Sequence, residues 1–127
     1  GGGTPKPSLE ALRRRVARDG VLTGTAGSPG VARGRARVIR TLADADRLEA
    51  GEVLVAPTTS QPWMPLFGAA AALVTETGGV LSHAAVVARE FKLPAVVAVG
   101  GATQVVRDGQ MVEVDGDRGL VRIVDDA

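Results

Sequence analysis

The segment Thr75-Glu76-Thr77-Gly78-Gly79-Val80-Leu81-Ser82-His83-Ala84-Ala85-Val86-Val87-Ala88-Arg89-Glu90 holds the only histidine of the chain. An imidazole is a nucleophile near neutral pH, because its ordinary pKa is about 6.5. A phosphoryl group on that ring adds roughly two negative charges and needs donors close by. A helix N-terminus supplies them, with unpaired N–H groups and about half a positive charge. A helix pattern begins at His83: Ala84, Val87, Ala88 and Phe91 fall on one stripe. Ser82 suits an N-cap or a hydrogen bond to the ring. Gly78 and Gly79 have no side chain to block an anion and offer backbone N–H groups. Thr75 and Thr77 offer hydroxyls to orient the other ring nitrogen or a phosphate oxygen. The residue types point to a histidine that carries phosphate.

Other chemistries fit less well. One histidine and no cysteine leave only carboxylates for a metal site, and no metal ligand is expected. Ser82 and His83 are adjacent at a helix start and point apart, so they do not form a hydrolase pair. No Gly-Lys-Ser/Thr follows the glycines, so the loop is not a Walker motif. Asp115, Asp117, Asp125 and Asp126 read as turn and tail residues.

The elements that must position this loop follow from the pattern of the chain. Its 127 residues fit one domain, and 45% are hydrophobic, mostly Val, Ala and Leu. The aromatics are Trp63, Phe67 and Phe91, which favours a compact sheet with closely packed helices. Fifteen basic residues against fourteen acidic ones give a net charge of +1, which asks for no nucleic-acid partner. No apolar run reaches membrane-spanning length and no signal peptide is visible, so a cytoplasmic location is expected and a membrane partner is not.

Residues 1–20 read as a linker and a short helix, N-capped by Ser8 and stopped by Gly20. Leu9, Leu12 and Val16 form its docking stripe, with Arg13, Arg14, Arg15 and Arg18 around them. Residues 21–127 form the globular domain. Residues 21–26 and 34–39 read as strands around the turn Ser28-Pro29-Gly30. A short helix follows at 44–49, a buried strand at 53–56, a helical turn at 62–67 and a strand at 71–75. Beyond the histidine helix, 95–99 is a strand and 102–106 a helix. Asp108-Gly109 marks a hairpin-like turn into 111–114, and 119–124 is the last strand.

Residues 75–90, continued by Phe91-Lys92-Leu93-Pro94-Ala95-Val96-Val97, closely resemble the phosphohistidine signature of the phosphoenolpyruvate-utilising enzyme mobile domain. That family includes phosphoenolpyruvate synthase, pyruvate phosphate dikinase and the rifampicin phosphotransferases. Ser28-Pro29-Gly30 with Gly34 is similar to the family's opening hairpin. Pro62-Trp63-Met64-Pro65-Leu66-Phe67 resembles the Trp-x-Pro-Leu-Phe of the rifampicin type, and the chain stops soon after its last strand, as that type does. The resemblance implies an α/β fold, a swivelling β/β/α domain with a helix starting at the histidine.

It also implies a mechanism. The histidine takes a phosphoryl group from ATP on an ATP-grasp domain, then swings to deliver it to an acceptor on another domain, such as an antibiotic hydroxyl or pyruvate. By this likeness His83 is phosphorylated, Thr75, Gly78, Gly79 and Ser82 support the phosphate loop, and Arg89 contacts the phosphate or a partner. ATP and Mg are expected on the partner domain, with no cofactor bound here. The chain is therefore a phosphotransferase component, not competent for a full turnover alone. A swivelling module that binds a partner without being phosphorylated is the alternative. A basic adaptor acting through residues 8–18 is a third reading.

Overall fold

A computed structural model describes residues 8–124 of the chain. The linker expected at residues 1–7 and the tail aspartates Asp125 and Asp126 lie outside the described residues. Helix α1 (Leu9–Asp19) starts at Ser8, whose hydroxyl accepts the Ala11 N–H at 3.1 Å, and ends at Gly20 in the left-handed region, φ 68°. Its Leu12 and Val16 pack against the core.

Eight strands follow: β1 (Val21–Thr23), β2 (Thr25–Ser28), β3 (Val31–Val38), β4 (Val53–Ala56), β5 (Ala72–Thr75), β6 (Ala95–Val97), β7 (Met111–Asp115) and β8 (Leu120–Ile123). Between them lie α2 (Met64–Phe67), α3 (His83–Glu90) and α4 (Ala102–Val105). The strand order is β1-β8-β7-β3-β4-β5-β6-β2. The ribbon is folded on itself at two places. In β3, residues 31–35 pair antiparallel with β7, and residues 36–38 pair parallel with β4. Strands β1 and β2 sit at opposite ends of the order yet are separated only by Gly24. A Cβ there would lie 2.5 Å from the Val97 carbonyl oxygen, so the corner admits only glycine.

Two stacked sheet layers result. Their shared core holds Leu22, Val112, Val114 and Val121 from one layer and Val53, Val55, Val74 and Val96 from the other. Successive strand residues point to opposite faces. Leu54, Ala56, Leu73, Ala95 and Val97 therefore pack on the far side against Ala84, Ala85, Val87 and Ala88 of α3 and against Trp63, Leu66 and Phe67. The architecture is the expected α/β arrangement of sheet, sheet and helix. An eight-residue helix is marginal alone, so α3 owes its place to this packing.

The pairing around Ser28-Pro29-Gly30 differs from expectation. Strand β2 pairs with β6, and β3 pairs with β7 and β4, so the turn links two layers instead of closing a hairpin. Asp108-Gly109 likewise joins α4 to β7, and the true hairpin is β7–β8. The segment Leu42–Arg47 is a 3-10 helix.

Glu52, just before β4, is buried and accepts two hydrogen bonds from Arg37, at 3.2 Å from Nε and 2.9 Å from Nη2. The same carboxylate accepts the Glu49 N–H at 2.8 Å. The Arg37 hydrogen bonds hold the Glu52 carboxyl below its ordinary range against the opposing pull of burial, and they raise Arg37 in turn. Burial alone would raise Asp108, but the Val38 N–H and the Arg47 guanidinium outweigh it and keep that carboxyl low.

Candidate functional site

Strands β4 and β5 are parallel neighbours, so the loops leaving them emerge together. Pro57, after β4, accepts the N–H groups of Glu76 and Thr77, after β5, at 3.1 and 3.2 Å. Crevices at the carboxyl ends of parallel strands are where α/β sheets place ligands. Here the first loop supplies Thr59 and the second runs through the glycines into α3.

His83 is the first residue of α3 and is half-buried. Its Nδ1 lies 3.0 Å from the hydroxyl of Thr59. The ring meets Phe67 edge-on, with centroids 6.1 Å apart and planes at 80°. Nε2 has no hydrogen-bond partner and almost no accessible surface. When Nδ1–H donates to Thr59, Nε2 carries the lone pair. An unpaired buried polar atom costs about 1–3 kcal/mol, so this one is expensive unless the site uses it.

Ser82 is the N-cap of α3. Its hydroxyl accepts the Ala85 N–H at 3.3 Å and donates to the Gly79 carbonyl at 2.7 Å. That settles its two sequence roles in favour of the cap, with no bond to the ring. Gly78 holds φ 113°, and a Cβ there would lie 2.8 Å from the Ser82 hydroxyl oxygen. Glycine is required at this position both by backbone and by space. Gly79 has open space around its would-be Cβ.

The two threonines do not orient the ring. Thr75 is fully buried and donates to the Thr77 carbonyl at 2.8 Å; Thr77 donates to the Pro57 carbonyl at 3.3 Å. Both hydroxyls shape the turn out of β5, and the ring partner is Thr59. Sequence reasoning missed Thr59 because it lies in another loop, far from His83 in the chain. The available signal was a Thr-Thr-Ser run after a buried strand parallel to the one before the histidine.

Arg89 donates from Nη1 to the Gly27 carbonyl and from Nη2 to the Val80 carbonyl, both at 2.7 Å. Its guanidinium is thus engaged by backbone beside the loop. Glu76 accepts from the Thr103 N–H at 2.8 Å and the Thr103 hydroxyl at 2.7 Å, tying the loop to α4. Val80 and Leu81, between the glycines and Ser82, are 52% and 86% exposed and form an apolar flap on the surface ahead of α3. No helix among the described residues is long and apolar enough to cross a membrane.

The chain is similar to known proteins. The family model of the PEP-utilising enzyme, mobile domain, matches residues 48–119. A chondramide synthase of Chondromyces crocatus is 56% identical over 103 residues, covering 81% of this chain and 3% of that protein. A rifampicin phosphotransferase of Streptomyces sviceus is 52% identical over 114 residues, covering 90% of this chain and 13% of that protein. The solution structure of an Enzyme I protein superposes with a TM-score of 0.56 at 31% identity, over 64% of this chain and 34% of that one. The chain thus spans only a small part of the length of these relatives.

Proposed function

The chain belongs to the PEP-utilising enzyme mobile-domain family, and from that premise we propose that it is a phosphohistidine carrier whose loaded atom is His83 Nε2. The observation that carries this reading is the division of labour on the ring. Nδ1 is held by Thr59, and Nε2 alone is left unspent at the start of α3. Fixing one nitrogen as the donor makes the other the nucleophile.

The step is a transfer. The Nε2 lone pair attacks a phosphorus of ATP, the P–O bond to the leaving phosphate or nucleotide breaks, and the charge on that oxygen is taken up on the donor domain. Nδ1 keeps its proton toward Thr59, so the loaded ring needs no base. The backbone N–H groups at the start of α3 and the helix dipole then face the added charge. In the second half an acceptor hydroxyl or enolate oxygen attacks the same phosphorus and Nε2 leaves as the neutral ring. Loading requires Nε2 to be uncovered. Residues 79–81 beside the ring have little to restrain them, since Val80 and Leu81 bury little and Gly79 is unconfined.

The donor is an ATP-grasp domain binding ATP and Mg, and the acceptor sits on a further domain. Both belong to the parent chain or to separate subunits, and the carrier completes no turnover alone. The small share of its relatives that the chain spans supports this. Antibiotic hydroxyls and pyruvate are the acceptor classes in view. Because the two sites lie on different bodies, rotation of the carrier is part of the cycle.

The test is His83→Ala, incubated with ATP and an ATP-grasp partner. Label on the wild-type chain disappears in the variant, which keeps its circular dichroism and melting point within a few degrees. Undiminished labelling of the variant would overturn the assignment. An unlabelled wild-type chain beside a demonstrably active partner would instead favour a module that only binds.

A further inference from the structure

Arg89 lies in the last turn of α3, yet its guanidinium reaches back to a loop residue before the helix begins. Helical side chains lean toward the N-terminus, which lets a long one at the end of two turns make this reach. Its second partner is unusual. Ala26 faces Val96 and Ser28 faces Ala95, so Gly27 between them is the extra residue of a β-bulge and has no partner in β6. A bulge turns its backbone out of the ladder, and here the Gly27 carbonyl takes Arg89 Nη1 at 2.7 Å. At the same place α3 comes close to β2: a Cβ on Gly27 would lie 3.5 Å from that of Ala85.

One planar cation therefore joins an edge strand, the histidine helix and the flap. The flap has little else to hold it. Val80 and Leu81 are largely exposed, and the other bonds to residues 78–81 come from Ser82 within the same turn. The fork of guanidinium N–H groups reaches two carbonyls at once, which an ammonium on a lysine stem does not reproduce.

We propose that Arg89 is a positioning residue for phosphoryl acceptance. By clamping Val80 to the bulge carbonyl of β2 it sets the position of the segment that leads into His83 and of the first turn of α3. This rests on the carrier reading and assigns Arg89 a role through the backbone, in place of the contact with phosphate or partner that the sequence suggested.

The experiment measures the rate of His83 labelling against ATP-grasp partner concentration for wild type, Arg89→Met and Arg89→Lys. A misplacement near 1 Å costs about a hundredfold, so both variants should label about tenfold to a hundredfold more slowly at saturating partner. The half-saturating partner concentration should stay within about twofold of wild type, as expected for a loss of positioning. Lysine should rescue little. Wild-type rate in Arg89→Lys would assign the effect to charge and overturn the proposal. So would a defect confined to half-saturation, which marks a partner contact. Equal rates in all three proteins would overturn it as well, while leaving the carrier reading intact. An unlabelled wild type would sink that reading instead.

A measurement on the wild type covers the case in which both variants unfold. The carbonyl 13C resonance of Val80 should stay in place when His83 is loaded. Movement to an unbonded position would mean that Arg89 leaves the carbonyl for the phosphoryl group.

Discussion

The two ends of β4 solve opposite problems. Before it, Glu52, Arg37, Asp108 and Arg47 satisfy one another, and the Glu52 and Asp108 carboxylates each have both a cation and a backbone N–H. After it, Thr59 holds only one nitrogen of His83, the other is unpaired, and the neighbouring flap exposes Val80 and Leu81. The first end stabilises the fold and has no chemistry left over. The second carries a local penalty and leaves one imidazole nitrogen without a partner. A strand whose middle is buried on both faces allows the two ends to be tuned separately.

The contrast is broken most strongly at the satisfied end. Removing one partner of a buried ion pair costs about 3–5 kcal/mol, and the partial exposure of Arg37 brings the expectation for Glu52→Gln to about 2–3 kcal/mol. Chemical denaturation should show that loss, while His83 labelling well below the melting point stays unchanged. A labelling defect as large as the stability loss would mean that the ends are not independent. The pH dependence has a definite sign. The folded-state carboxyls of Glu52 and Asp108 are lowered, so their stabilisation is complete above the unfolded values near 4. It is lost as pH falls through the lower folded values. Glu52→Gln should flatten that acid limb.

The next effect belongs to the other end. Thr59→Val keeps the shape of the side chain and removes the partner of Nδ1. Labelling should fall about tenfold, which corresponds to about 1.4 kcal/mol, with stability changed by less than about 1 kcal/mol. An unaltered labelling rate would show that the ring finds its tautomer without this hydroxyl. The smallest effects separate the two glycines. Gly78→Ala forces a side chain to φ 113° against Ser82 and should cost about 1–2 kcal/mol. Gly79→Ala meets open space and should change stability by less than about 0.5 kcal/mol. Comparable losses at both positions would contradict the packing of the loop.

The elements around the site were legible because their signals are local. Runs such as Val53–Ala56 and Ala72–Thr75 are apolar and bounded by Gly, Pro and Thr. Helix α3 is marked by its cap and its stripe, and Gly20 and Pro94 bracket their neighbours. Pairing was not legible at the first turn. Ser28-Pro29-Gly30 says only that the chain bends there, whereas the partners of β2 and β3 are decided by distant strands and by the corner at Gly24. The same limit applied to the site. His83, Ser82 and the glycines form one local motif, but the hydroxyl on the ring comes from the loop after β4. Thr75 and Thr77, near in sequence, are drawn instead to the carbonyls of their own turn and of Pro57. For Arg89 the family likeness offers a contact with the phosphate or a partner, and its backbone partners were not legible because the bulge carbonyl exists only once β2 has been paired.

The most direct measurement is phosphorus and nitrogen NMR on the wild-type chain, carrying 15N-histidine and loaded by ATP through an ATP-grasp partner. The expected result is a one-bond phosphorus coupling to Nε2, with Nδ1 still protonated toward Thr59. Coupling to Nδ1, or a loaded chain whose phosphorus sits on any other residue, would contradict it.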